Sequence, residues 1–209
     1  KNENPDIGLQ NDIYSLAYAA FLDPEQLEKG PGLLEPIEMN NEEIANVFNG
    51  GVIIIFLQLS MIGLIMMYEL ESPDFKIVPS DSFSIILARL FASMMMHLNV
   101  EPEIRAGLKL AKYCVNHPSR FRGAVSVGED GKEHINISAV FPPFFLAMSQ
   151  AIVGLIVEVN VLIYLTSLSS LLAVIMKFVT LAAICKFDDM YASALQDNKM
   201  QAAGGKKLR

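Results

Sequence analysis

Between Ile44 and Tyr68 the chain runs for 25 residues without a charged side chain, and from Val52 it reads VIIIFLQLSMIGLIMMY. A helix needs about 20 apolar residues to cross a hydrocarbon core about 30 Å thick, so this stretch alone predicts a membrane-spanning helix. Gly50 and Gly51 mark its expected start. Composition agrees, because 209 residues at 52% hydrophobic and 19% charged are too apolar for a soluble domain of that size.

Three more segments complete the pattern. Phe141 to Tyr164 is apolar and opens with Pro142 and Pro143, which suit a first helical turn. Leu168 to Phe187 is apolar apart from Lys177, and Ser82 to Val100 carries Arg89 and His97 in a run that barely reaches across. The fold expected is therefore an all-α integral membrane protein of about four transmembrane helices, near 51–69, 83–100, 142–165 and 168–187. Residues 1–49 form an acidic tail with ten Asp or Glu against two Lys, residues 50–195 the transmembrane domain, and residues 196–209 a basic C-terminal tail.

Between the second and third spans, EIRAGLKLAKYCVNHP follows Pro102 with apolar residues at helical spacing and basic ones between them. It predicts an amphipathic helix ending near Asn116. GAVSVGEDGKEHINIS then alternates around a Gly-Glu-Asp-Gly turn, as a small β-hairpin does. With four spans, thirteen Lys or Arg fall on the side of both termini and this middle segment, against Lys76 on the other, which makes residues 101–139 cytoplasmic. Without a crossing at 83–100 the same residues favour neither orientation.

In the acidic tail, DIYSLAYAAFL places Ile13, Leu16, Ala17 and Ala20 on one helical face, and Asn40 or Asn41 ahead of two glutamates reads as a helix cap. A segment this short buries too little surface to fold alone, so it is expected to dock on a neighbouring subunit.

The apolar run IVGLIVEVNVLIYL raises the question of function, since Glu158 and Asn160 lie inside it. The last two spans are joined tightly near Thr166–Ser170. Counting about 1.5 Å per residue from Leu168 puts Glu158 and Lys177 at matching depth, about 14 Å from the turn, where opposite charges relieve each other. Gln150, Gly154 and Glu158 share one face at i, i+4, i+8, and small and polar residues at such spacing close helix packing in lipid. Glu158, Lys177, Asn160, Gln150, Arg89 and His97 read first as an internal brace and second as the lining of an ion or proton path.

Asp188 and Asp189 form a candidate cation site, weighed against a solvated helix end. The three histidines have no metal-ligand spacing, the two cysteines suggest no disulfide framework, and no phosphate loop or nucleophile motif occurs. No catalytic residue, metal or cofactor is expected. An acidic total without a basic stripe argues against nucleic acid.

LARLFASMMMHL, GLKLAKYCVNHPSRF, QAIVGLIVEVN and MKFVTLAAICKFDDMYASAL together resemble an uncharacterised family of multi-pass membrane proteins of ciliate protists, over residues 83–195. The resemblance implies a membrane location, and that Arg89, His97, Asn116, His117, Gln150, Glu158 and the Asp188 pair belong to one design; it supplies no activity. The function expected is a non-enzymatic, helix-packed structural subunit of a homo-oligomer or larger complex in the lipid bilayer, in a plasma or ciliary membrane. The alternative is an ion channel or transporter subunit.

Overall fold

The computed structural model describes residues 7–25, 27, 31–35, 37–71, 82–127, 133–194 and 205–208. In chain order its elements are β1 (Ile7–Gly8), α1 (Ile13–Ala20), α2 (Asn41–Leu70), α3 (Phe83–Asn116), a 3-10 turn at Pro118–Arg120, β2 (Val125–Val127), β3 (Glu133–Ile135), α4 (Ile137–Ser167), α5 (Leu171–Cys185), α6 (Phe187–Ala194) and β4 (Lys207–Leu208).

Helices α2, α3 and α4 are long and apolar enough to cross a membrane. The expected fourth span, 168–187, is present only as the shorter apolar helix α5, whose 15 residues reach about 22 Å, and α6 follows beyond a break at Lys186. Apolar side chains face outward from α2 at Phe56, Leu64 and Met67, and from α3 at Phe83, Leu90 and Leu98. Only 17% of the most apolar window of α3 is buried in the protein, so its hydrophobic residues face the surroundings, as lipid contact requires.

Helix ends differ from the sequence reading in instructive ways. Asn40 caps α2 as expected: its side chain accepts from Glu43 N and Glu43 accepts from Asn40 N, both at 2.8 Å. The helix therefore starts well before Gly50 and Gly51, which lie inside it against Tyr191 and Leu146. Helix α4 starts at Ile137, with Asn136 accepting from Ser138 N, so Pro142 and Pro143 fall in its second turn rather than its first.

Helix α3 does not stop at Pro102. A proline removes one backbone donor, but the flanking turns are held by burial of Val100, Gly107, Leu110 and Ala111 and by the Glu101–Arg105 pair across the proline. The end at Asn116 is as expected.

The N-terminal tail is part of the bundle of its own chain, which corrects the expectation that it docks on a neighbour. Every residue of α1 is buried. Its small side chains, Ser15, Ala17, Ala19 and Ala20, let the surrounding helices approach it. Tyr18 donates to Leu110 O at 3.2 Å and stands edge-on to Phe121, with ring centroids 5.6 Å apart. The tail's ends are stitched down as well. Strand β1 pairs antiparallel with β4, Ile7 opposite Leu208, and Leu22 bridges Phe121.

Arg122 donates to three tail carbonyls, Leu22 O at 2.9 Å, Met39 O at 2.7 Å and Ile37 O. Arg122→Ala leaves all three without this donor, and we expect a loss of about 2 kcal/mol, read by thermal unfolding in detergent. Unaltered unfolding would show that the tail is held without it. The expected hairpin is present as β2 and β3, Val125 opposite Ile135, and its Gly128–Gly131 turn lies outside the described residues.

Candidate functional site

The residues proposed from sequence as one brace separate into five arrangements. Glu158 and Lys177 do not pair with each other. His97 Nδ1 lies 2.6 Å from Glu158 Oε1, while Lys177 is bonded to Glu69 and sits 5.8 Å from the Tyr164 ring centroid. Matching depth fixes height but not rotation about the helix axis. Gln150, Gly154 and Glu158 do share a face, and it is the face on α3. Gln150 meets Glu103, Gly154 packs against Val100 and Ile104, and Glu158 meets His97. On α5, Lys177 lies on the same side as the buried Val174, Leu181 and Ile184, facing α2.

Arg89 donates to Leu168 O at 2.5 Å and so holds the corner between α4 and α5 rather than a path. Asn160 donates to Ile156 O of its own helix at 2.7 Å. Asn116 and His117, which the family resemblance groups with these residues, close α3, and His117 stacks on Tyr113.

A different polar constellation lies inside the bundle. Asp12 at the start of α1, Glu103 of α3, and Asp188 and Asp189 of α6 converge from three parts of the chain. One carboxylate oxygen from each of Glu103, Asp188 and Asp189 lies within 4.8 Å of the others. Asp12 is fully buried, accepting from Ser15 N at 2.7 Å and Ser15 Oγ at 2.9 Å. Asp188 is buried too, so it is not the solvated helix end weighed from sequence.

Amides satisfy part of this charge. Gln58 Nε2 donates to Ile184 O and Asp188 Oδ1, each at 3.3 Å, while its oxygen accepts from Tyr14. Gln150 Nε2 donates to Glu103 Oε2 at 2.8 Å. One terminal atom of the Gln10 amide lies 3.0 Å from Glu103 Oε2 and 3.2 Å from Asp12 Oδ2; two carboxylate acceptors there require it to be the nitrogen. Lys186 adds a cation 2.8 Å from Asp189 and 3.9 Å from Glu103.

The cluster borders a cavity of about 30 Å³ whose wall includes Tyr14, Gln58, Glu103, Gln150, Cys185 and Asp188. That is room for one water or a small ion. Measured along α2, Gln58 is about 18 Å from the Leu70 end and about 8 Å above Ile53, the lowest outward-facing apolar residue of that helix. Four acids face one lysine, and charge crowding follows. Burial, then Glu103, Asp12 and Asp189, pushes the Asp188 carboxyl up to about 8. Burial also raises Asp12, against the pull of its Ser15 bonds, and raises Tyr14.

Of the residues singled out from sequence, Gln150, Asp188 and Asp189 belong to this cluster, and Glu158, Lys177, Asn160, Arg89 and His97 do not. Asp12, Gln58 and Glu103 were not anticipated. Gln58 is a lone amide in the least charged stretch of the chain, and the cost of such a group in lipid is the signal that marks it. Comparison of the chain with protein-family models, with curated proteins and with solved structures gave no match.

Proposed function

We propose that this chain is an ion-handling integral membrane protein, a transporter or channel subunit, whose ion site is the carboxylate cluster of the buried Asp12 and Asp188, the part-buried Glu103 and the half-exposed Asp189. The observation that carries the reading is convergence. Glu103 of α3 and Asp188 of α6 line one small cavity inside a bundle with lipid-type surfaces, with Asp189 close beside them and Asp12 buried nearby, at a cost that packing alone does not repay, since apolar side chains of similar volume stabilise a core as well or better. An integral membrane location is compatible with the apolar faces of α2, α3 and α4. The purely structural reading has less support, because the tail that was expected to need a neighbour is buried in its own chain.

Flux into liposomes carrying the purified protein tests this. We expect cation or proton flux above protein-free liposomes. The double change Glu103→Gln with Asp188→Asn should reduce it at least about tenfold, whereas Glu158→Gln, which alters the surface pair with His97, should leave it within about twofold. A folded wild-type protein that moves no cation, or a flux lost only on changing Glu158, overturns the proposal.

A further inference from the structure

Resting on the reading of the cluster as the ion site, we infer that Glu103, Asp188, Asp189 and the Oε1 atom of Gln150 form a binding site for a hard divalent cation, calcium in preference to magnesium. Gln150 is the observation that points beyond an acidic cluster. Its side chain is 2% exposed, it lines the cavity, its nitrogen is used on Glu103, and its Oε1 has no hydrogen-bond partner among the described residues. A buried carbonyl oxygen left bare beside the carboxylates of Glu103 and Asp188, in a cavity otherwise lined mainly by apolar side chains, lacks a positive partner, and a metal ion supplies one.

Charge and hydration select the ion. Glu103, Asp188 and Asp189 with Lys186 sum to −2 when ionised, which a divalent cation neutralises. The three carboxylate oxygens lie within 4.8 Å of one another, close enough to share one ion. Magnesium holds its waters more firmly, and a cavity of about 30 Å³ has no room for several of them. Cys185 also lines the cavity, but one thiol against three carboxylates and an amide oxygen does not favour zinc or copper. Lys186 shares Asp189 and Glu103, so its ammonium opposes the cation while leaving it a net −2 to neutralise.

The site joins α3, α4 and α6, so occupancy stabilises the bundle in proportion to saturation. The full chain, purified in detergent with chelator and then titrated with calcium chloride or magnesium chloride, is followed by calorimetry and by thermal unfolding. We expect calcium to bind more tightly than magnesium and, at about 100-fold excess over its Kd, to raise the midpoint by roughly 5 °C or more. Gln150→Leu should weaken calcium at least about tenfold, since changes even beyond the ligands themselves cost about 10- to 100-fold.

Asp188→Asn should lose the calcium response while making the metal-free protein more stable, a combination that a misfolded variant does not show. Lys186→Met should tighten binding. A wild-type protein whose unfolding ignores millimolar calcium, or an undiminished response in Asp188→Asn, overturns the assignment. If calcium fails to bind while cation or proton flux persists, the divalent site falls and the transport reading stands. If calcium binds as expected but no cation crosses, the site stands and the transport reading falls.

Discussion

Gly107→Ala is expected to destabilise the protein by about 3 kcal/mol, whereas Gly63→Ala, the same change in the middle of another membrane-length helix, is expected to stabilise it by about 0.5–1 kcal/mol. In both cases alanine gains helix propensity over glycine, so the difference lies in the space available. A Cβ on Gly107 would stand 2.6 Å from Ala147 O and 2.9 Å from Ala151 N, both backbone atoms of α4, while a Cβ on Gly63 meets nothing within 4 Å. Backbone cannot rotate away, so α3 and α4 must separate along the packing that holds Gln150 against Glu103 and His97 against Glu158. Inserted volume in a close-packed interior costs about 1–3 kcal/mol, and here the obstacle is rigid. Gly154→Ala should cost less, because the atom it would meet at 2.7 Å is a side-chain atom, Ile104 Cγ1, and not backbone. Midpoints in detergent for the three variants give the ranking. A Gly107→Ala protein as stable as the wild type would mean that the two helices are not packed this closely.

That close packing was partly legible in the sequence. The i, i+4, i+8 spacing of Gln150, Gly154 and Glu158 identified a shared face correctly, because helical periodicity is local and needs no knowledge of neighbours. The Asn40 cap, the hairpin of β2 and β3, the tight turn near Leu168 and the end of α3 were legible for the same reason, each being set by a few adjacent residues.

What stayed hidden depended on rotation or on distant partners. Glu158 and Lys177 match in depth, yet the azimuth of each helix turns one toward His97 and the other toward Glu69. Pro102, Pro142 and Pro143 were given the weight they carry in an isolated helix, where tertiary packing cannot offset a lost hydrogen bond. The burial of α1 was hidden because its eight residues read as a weak amphipathic helix, and only the enclosing helices make all its sides interior. The carboxylate cluster was the least legible feature. It draws Asp12, Glu103 and Asp188 from segments with no local relation, and Asp188 was weighed beside Asp189 as though both met water.

The protein held free of divalent metal is expected to become less stable as pH rises from about 4 to 8, and Asp188→Asn is expected to make that slope shallower. Asp188 has an ordinary value of 3.8 and is pushed up to about 8 in the fold, first by burial and then by Glu103, Asp12 and Asp189. The folded state therefore holds a proton that the unfolded chain has already released. A carboxyl raised on folding contributes stability that is complete below the unfolded value and is lost as pH climbs through the folded one.

The groups facing Asp188 are Glu103 from α3, Asp12 and Tyr14 from α1, the Gln58 amide from α2, and Asp189 with Lys186 from its own end of the chain. Lys186 lies 2.8 Å from Asp189 and so relieves that neighbour first. A shift of this size corresponds to several kcal/mol between the ends of the window. Asn keeps the oxygen that accepts from Gln58 Nε2, fills nearly the same volume and carries no charge, so it retains the packing and removes the repulsion. At pH 8 the variant should unfold at a higher temperature than the wild type, and at pH 4 the two should nearly coincide. Stability that is flat or rising across this range, or an Asn variant weaker at pH 8, would show that the carboxylates around Asp188 are not crowded as described.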